Sequence, residues 1–278
     1  MVTKVFFQPQ SIEEATELLS NHGDLLVMAG GTLAMPLINE RVSVPEKVMG
    51  LKSAGMSYVR KEGNTIFIGA CTTFTEFLDQ NDNEFLHEAA SKIGGWPIRN
   101  MATIGGNLFA PSPSGDFAVA MIALDAKVKL VSKKGSRIVP VADFYTGFLS
   151  NILQTDELVV EIQVPVPKGK TVFSKYGRRE NNTGGIVTVA AQVTFNNNTV
   201  QDARIVLGAV DEHPIRITKA EDVLKGTCLD DATIEKAAMI ASQECHPDTD
   251  GLATATYRQK MVKVFVKRVL LKITGKEE

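Results

Sequence analysis

Short apolar runs alternate with amphipathic stretches along most of the chain. Ser11 and Glu14 form a capping-box signature, and Ile12, Ala15, Leu18 and Leu19 recur behind it at helical spacing, which predicts a first helix over residues 12–20. Asn21 and Gly23 end it. The next apolar run, Leu25 to Ala29, is too short for a helix and stops at Gly30-Gly31, so it reads as a buried strand emptying into a glycine turn. From Tyr58 to Ala70 the pattern becomes β, with a hairpin turn at Glu62-Gly63-Asn64. Thr73 and Glu76 repeat the capping pair, and Glu84 to Ile93 reads as a helix closed by Gly94-Gly95.

Between Gly94 and Asp116 the periodicity fails. Five glycines and three prolines crowd that segment, and an irregular stretch of this length inside a compact domain is a signal of function. Regular spacing returns with a helix over residues 117–124, a hairpin about Lys134-Gly135 and a strand over 158–164. Pro165, Pro167 and Gly169 then mark a domain boundary. Beyond it, residues 186–195 and 199–207 flank Asn196-Asn197-Asn198 as a long hairpin, and helices follow near 217–225, 231–245 and 254–273. The second domain is therefore α+β. On its last helix Tyr257, Met261, Val264, Phe265 and Val269 share one stripe, and Lys260, Lys263, Lys267 and Lys272 occupy much of the rest. That spacing reads as a helix packed on its own domain, with a partner-contact surface as the alternative.

Composition narrows the function. The 278 residues are 44% hydrophobic and 22% charged, an ordinary globular balance, and the net charge of −2 lacks the basic surplus of a nucleic-acid reader. No run approaches the ~18 apolar residues of a membrane helix, so a soluble, cytoplasmic protein without membrane insertion is expected. Cys71, Cys228 and Cys245 are too widely spaced for a disulfide framework, a zinc site or an iron–sulfur cluster. The sequons at Asn181 and Asn197 read as turns. His87-Glu88-Ala89-Ala90-Ser91 begins like a zinc-protease helix but has Ser91 where the second histidine must stand. Neither a nucleophile elbow, a P-loop nor a Gly-x-Gly-x-x-Gly turn occurs, so no catalytic residue and no metal ligand is expected on this chain.

Two glycine turns remain: Ala29-Gly30-Gly31-Thr32, and Ala102-Thr103-Ile104-Gly105-Gly106-Asn107. Adjacent glycines bring successive N–H groups toward one ligand and make a donor site for an anion such as a pyrophosphate, with Thr32, Thr103 and Asn107 adding side-chain donors.

These turns, together with Ile98-Arg99-Asn100, Ser112-Pro113, Asp116, Leu124-Asp125-Ala126, Asp156-Glu157-Leu158, Phe173-Ser174-Lys175-Tyr176 and Arg178, resemble the FAD-binding subunit of molybdenum hydroxylases. That family includes xanthine, carbon monoxide and nicotinate dehydrogenases. The resemblance implies an α+β fold. It would have a vanillyl-alcohol-oxidase (PCMH)-type FAD-binding domain over residues 1–168, in subdomains of about 1–55 and 56–168, and a C-terminal domain of the CO-dehydrogenase-flavoprotein type over 169–278. It also implies non-covalent FAD held by Val27, Met28, Ala29, Gly30, Gly31, Thr32 and Leu33, by Gly94, by Thr103, Ile104, Gly105, Gly106 and Asn107, and by Asp116, Val159 and Lys175. Its partners would be a [2Fe–2S] subunit and a molybdopterin-binding large subunit, with NAD(P)+ or another carrier as acceptor. A lysine beside the flavin suits the negative charge that a reduced ring acquires.

Two departures stand out. Leu33 and Ala34 occupy the places where many relatives carry an acid and a leucine, and Trp96-Pro97 precedes Ile98 where glutamine is common. Trp96, the single tryptophan, could cover the cofactor, dock a neighbouring subunit or fill the core. The alternatives to the family reading are a non-catalytic scaffold or assembly module that retains the fold, and a stand-alone FAD oxidase.

Overall fold

The structure is a computed structural model that describes residues 3–110, 115–179 and 182–276. Ser112-Pro113 and Asn181 lie outside these described residues.

The first unit is a three-stranded parallel sheet of β1 (Val5–Phe7), β2 (Leu25–Met28) and β3 (Lys47–Gly50) in the order β1-β3-β2. Its crossovers carry α1 (Ile12–Asn21) and α2 (Ala34–Asn39). The Ser11 hydroxyl caps α1 by accepting from the Glu14 N–H. Strand β2 corrects the expectation of a buried strand. It is the sheet edge, and all four of its residues are only half-buried because Val27 and Met28 form the wall of a cavity.

The middle unit contains β4 (Val59–Glu62), β5 (Thr65–Gly69), α3 (Phe74–Gln80), α4 (Glu84–Ser91), α5 (Trp96–Arg99), α6 (Ile104–Asn107) and α7 (Asp116–Ala123). It continues with β6 (Lys127–Ser132), β7 (Gly135–Pro140), a separate small hairpin of β8 (Tyr145–Gly147) and β9 (Ser150–Asn151), and β10 (Leu158–Pro165). The antiparallel sheet runs β4-β5-β10-β6-β7, and its central strand β10 is buried along most of its length. Even so it carries Glu161, whose carboxylate is satisfied by Tyr58, Arg60 and Gln163 at 2.8–3.0 Å. The segment after Gly94 folds into the single turns α5 and α6, too short to leave a helical period in the sequence. Trp96 opens α5 and is 70% exposed, which rules out the core-filling role.

The last unit is an antiparallel sheet of β11 (Lys170–Tyr176), β12 (Val187–Asn196), β13 (Thr199–Gly208) and β14 (Ile215–Arg216), in sequence order. Helices α8 (Thr218–Leu224), α9 (Asp231–Glu244) and α10 (Ala255–Thr274) complete it, with α10 against the sheet. Every residue of α7 is buried, because the middle unit covers one side and β12 and β13 cover the other. A helix that is apolar all round needs such a double cover.

On α10 the buried face is Val262, Phe265, Val266, Val269, Leu270 and Ile273, so the stripe expected from spacing is shifted: Tyr257 is exposed and Met261 and Val264 are half-buried. Arg258 lies on that same face, four residues before Val262. Its guanidinium is buried and donates to the carbonyls of Gly185, Ile186 and Ala209 at 2.7–3.2 Å and to Asp250 at 2.8 Å. Among the described residues no helix is long and apolar enough to cross a membrane.

Removing Arg258 takes its donor from three backbone carbonyls at once, while Asp250 keeps the N–H groups of Leu252 and Ala253. Arg258→Met is therefore expected to lower the unfolding free energy by about 3 kcal/mol in urea titration. A loss below about 0.5 kcal/mol would show that the carbonyls find other donors.

Candidate functional site

A cavity of about 490 Å³ lies where the three units meet. Its floor is the edge of the first sheet and the turn after it. Gly30 follows β2, and a Cβ there would stand 1.7 Å from the Met101 carbonyl oxygen, so only glycine permits this approach. Gly31 has φ +74°, the left-handed region, and turns the chain into α2. The N–H groups of Gly30, Gly31, Thr32, Leu33 and Ala34 donate to no acceptor among the described residues, whereas Met35 donates to the Gly31 carbonyl at 2.8 Å. All five of those residues line the cavity. Consecutive unpaired donors at a helix start make a cradle for an anion.

The second glycine turn behaves differently from expectation. Ile104 donates to Thr72, Gly105 to Ala70, Gly106 to the Thr103 hydroxyl and Asn107 to the Thr103 carbonyl, all at 2.9–3.0 Å. These N–H groups hold the turn against residues 70–73, where Thr73 and Thr103 form an isolated bridge, and they do not form a donor nest. What this turn offers the cavity is its surface and side chains. Asn107 Oδ1 is buried and has no hydrogen-bond partner, an orphan acceptor that a ligand donor would satisfy. Arg99 fixes the neighbouring bend by donating to the carbonyls of Ser91, Ile93 and Gly94 at 2.8–3.1 Å, which ties down the C-terminal end of α4.

Of the residues expected at the site, Val27, Met28, Ala29, Gly30, Gly31, Thr32, Leu33, Gly94, Thr103, Gly105, Gly106, Asn107, Val159 and Lys175 all lie on the cavity wall. Ile104 and Asp116 do not. Ile104 turns its side chain into the core, and Asp116 sits behind Lys175, 2.7 Å from its Nζ. Lys175 therefore faces the cavity as half of a buried ion pair. Val159 reaches the wall beside a bulge between Val159 and Glu161 in the β10–β6 ladder, an irregularity that re-aims side chains next to sites. Trp96 is not on the wall.

Several wall residues were invisible as site residues. Cys71 was only an unpaired cysteine in the sequence, and burial pushes its thiol up to about 12, so it stays neutral. Asn182, Thr183 and Gly184 arrive from the β11–β12 connection, which has no periodicity to read. Glu157, from the Asp156-Glu157-Leu158 run, also lies on the wall. Arg137 grips its carboxylate with two bonds of 2.7 Å, and the Gln154 N–H adds a third.

A site made of backbone donors, one orphan amide oxygen and largely apolar walls defines a nucleotide-type cofactor pocket at the junction of the three units. Residues 2–167 match the family described as FAD binding domain in molybdopterin dehydrogenase, and residues 172–273 match the CO dehydrogenase flavoprotein C-terminal domain. The chain belongs to the FAD-binding medium subunits of the molybdenum hydroxylases, and it is an oxidoreductase subunit. It is 32% identical over 273 residues to the carbon monoxide dehydrogenase medium chain of Afipia carboxidovorans, a match covering 95% of this chain and 94% of that one. To the nicotinate dehydrogenase FAD-subunit of Eubacterium barkeri it is 30% identical over 289 residues, covering 98% and 97%. A solved carbon monoxide dehydrogenase from Hydrogenophaga pseudoflava, lacking the Mo-pyranopterin moiety of its molybdenum cofactor, superimposes with a TM-score of 0.93 at 28% identity over 98% of both chains. The residues fit FAD: the five unpaired N–H groups suit a pyrophosphate, and Asn107 Oδ1 suits a hydroxyl or ring N–H.

Two outcomes follow from this geometry. Gly30→Ala should raise the FAD dissociation constant by about tenfold or more while leaving far-ultraviolet circular dichroism unchanged, because the added methyl pries the two turns apart; unaltered affinity would refute the assigned contact. The Arg137 guanidinium holds the Glu157 carboxyl below its usual range. A depressed carboxyl contributes stability that is present above its unfolded value of ~4.3 and is lost as pH falls through the folded value. The stability gap between wild type and Arg137→Met, followed by urea titration, should thus be widest near neutral pH and narrow below about pH 4.3. A gap that persists undiminished in acid would contradict the pairing.

Proposed function

We propose that this chain is the electron-transferring flavoprotein subunit of a multi-subunit molybdenum hydroxylase. Electrons would arrive from [2Fe–2S] clusters on an iron–sulfur subunit and leave for NAD(P)+ or another carrier, with hydroxylation on a molybdopterin-binding large subunit. The observation that carries this reading is the state of the two ionised side chains on the cavity wall. Lys175 is locked to Asp116 and Glu157 to Arg137, and the thiol of Cys71 is neutral. A wall so built can bind, orient and exclude water, but it presents no acid–base pair to a substrate.

Bound FAD supplies the redox chemistry, taking electrons singly from clusters and giving them up as a pair. The N–H groups of residues 30–34 would hold its pyrophosphate, Asn107 would accept one hydrogen bond, and Lys175 would present its ammonium to the pocket. We further propose a division of the chain into residues 1–168, with subdomains near 1–55 and 56–168, and residues 169–278. The separate sheets on either side of Pro165 and Lys170 support it. Three unpaired cysteines suit a reducing, cytoplasmic compartment.

The purified chain should be yellow and release free FAD on acid treatment, and it should copurify from its host with an iron–sulfur and a molybdenum-containing subunit. A colourless chain that cannot be reconstituted would contradict the reading, and flavin that stays attached after denaturation would favour a tethered oxidase.

A further inference from the structure

Helix α10 carries a charge pattern that folding alone does not require. Between Ala255 and Lys276 the sequence has seven basic residues and no acidic one, in a chain whose net charge is −2. Cations in the last turn suit the helix dipole, but the dipole gives Lys260 and Lys263, in the first half, no such support. Lys260 and Lys263, Lys263 and Lys267, and Arg268 and Lys272 stand three or four residues apart, a spacing at which like charges repel along a helix. Only part of this charge is answered within the chain. Glu235 of α9 takes Lys263 Nζ at 2.6 Å and Lys267 Nζ at 3.1 Å, and Asp231 takes Lys276 at 2.7 Å. Lys260, Arg268 and Lys272 are exposed and have no acidic partner among the described residues.

These cations border an apolar ridge. By the helical period Tyr257, Met261, Val264 and Leu271 fall on the outward side of α10, away from buried Val262, Val266, Val269 and Ile273. Lys260 and Lys267 flank the ridge on one side and Lys272 on the other, while Arg268 rises within it. The two side chains that protrude most are held in place. The Tyr257 hydroxyl is tied to that of Tyr176 at 2.9 Å, and the Arg268 guanidinium lies over the Phe265 ring, 5.3 Å from its centre. Side chains ordered beforehand lower the entropy cost of association.

An apolar strip with a charged rim has the anatomy of a protein interface, and a rim of one sign selects a counterpart of the other. Met261, Val264 and Leu271 are half-buried against their own domain, which leaves them too shallow to insert into a bilayer. No residue of α10 lines the cavity, so a partner seated on this helix leaves the cofactor's approach open.

We propose that the outward face of α10 docks an acidic face of a partner subunit. This rests on the reading of the chain as one subunit of a complex.

The test uses the complex purified from its host, with subunit dissociation followed by analytical ultracentrifugation across a salt series. Lys260→Glu combined with Arg268→Glu and Lys272→Glu should raise the dissociation constant by about tenfold or more at low salt and flatten its salt dependence, with FAD content and melting temperature unchanged. The same three positions changed to Gln should give a smaller shift in the same direction. Carbodiimide coupling of the wild-type complex should join Lys260 or Lys272 to a carboxylate of a partner subunit, read by mass spectrometry. Unchanged dissociation in both triple variants would overturn the proposal. So would a wild-type chain that sediments with phosphatidylglycerol vesicles when its Glu variant does not, since the cations would then serve a membrane surface. If the Glu variant fails to fold, the Gln variant decides, because a wild-type salt dependence there overturns the proposal equally. A chain that leaves its host with no partner subunit is a different result, and it would refute the subunit reading itself.

Discussion

Gly30 lies so close to the Met101 carbonyl that a side chain at this position has nowhere to go. This contact presses the turn at the edge of the first sheet against the segment that leads into α6, and the two turns together become one wall. The second turn is held in turn by bonds from Phe74 to Ala102, Ile104 to Thr72 and Gly105 to Ala70, each of 2.9–3.0 Å. Its donors are consumed in that anchoring. Those of residues 30–34 are not, and the division of labour between two similar-looking motifs follows from which one must hold the other in place.

The same logic governs the charged groups. Each ionised side chain that reaches the cavity is gripped from behind by a partner, Glu157 by Arg137 and Lys175 by Asp116. Asp116 opens the fully buried helix α7, which the last sheet covers on one side. Docking of the C-terminal sheet therefore completes the cavity, because β11 brings Lys175 and the loop after it brings Asn182, Thr183 and Gly184. The polar side chains hold the wall in shape.

Much of the fold was legible because its signals are local. The capping pair Thr73 and Glu76 and the Glu62-Gly63-Asn64 turn act within a few residues, and both appear where spacing predicts them. What was not legible depends on distant neighbours. The edge position of β2 follows from sheet order, the burial of Arg258 from carbonyls some 50 to 70 residues away in the chain, and the exposure of Trp96 from its place on a single helical turn. Most site residues came from resemblance to a family rather than from residue physics. Fourteen of them lie on the cavity wall, while the Ile104 side chain packs in the core and Asp116 sits behind the lysine. A motif records that a residue matters without recording whether it touches the ligand.

On the proposed reading, the pyrophosphate of FAD sits on the backbone N–H groups of residues 30–34. A crystal structure of the FAD-loaded chain tests it most directly. Phosphate oxygens are expected within about 3.2 Å of several of those five nitrogens, with the bonds from residues 104–107 to Thr72, Ala70 and Thr103 intact. A pyrophosphate seated instead on the N–H groups of residues 104–107, with those internal bonds broken, would contradict it.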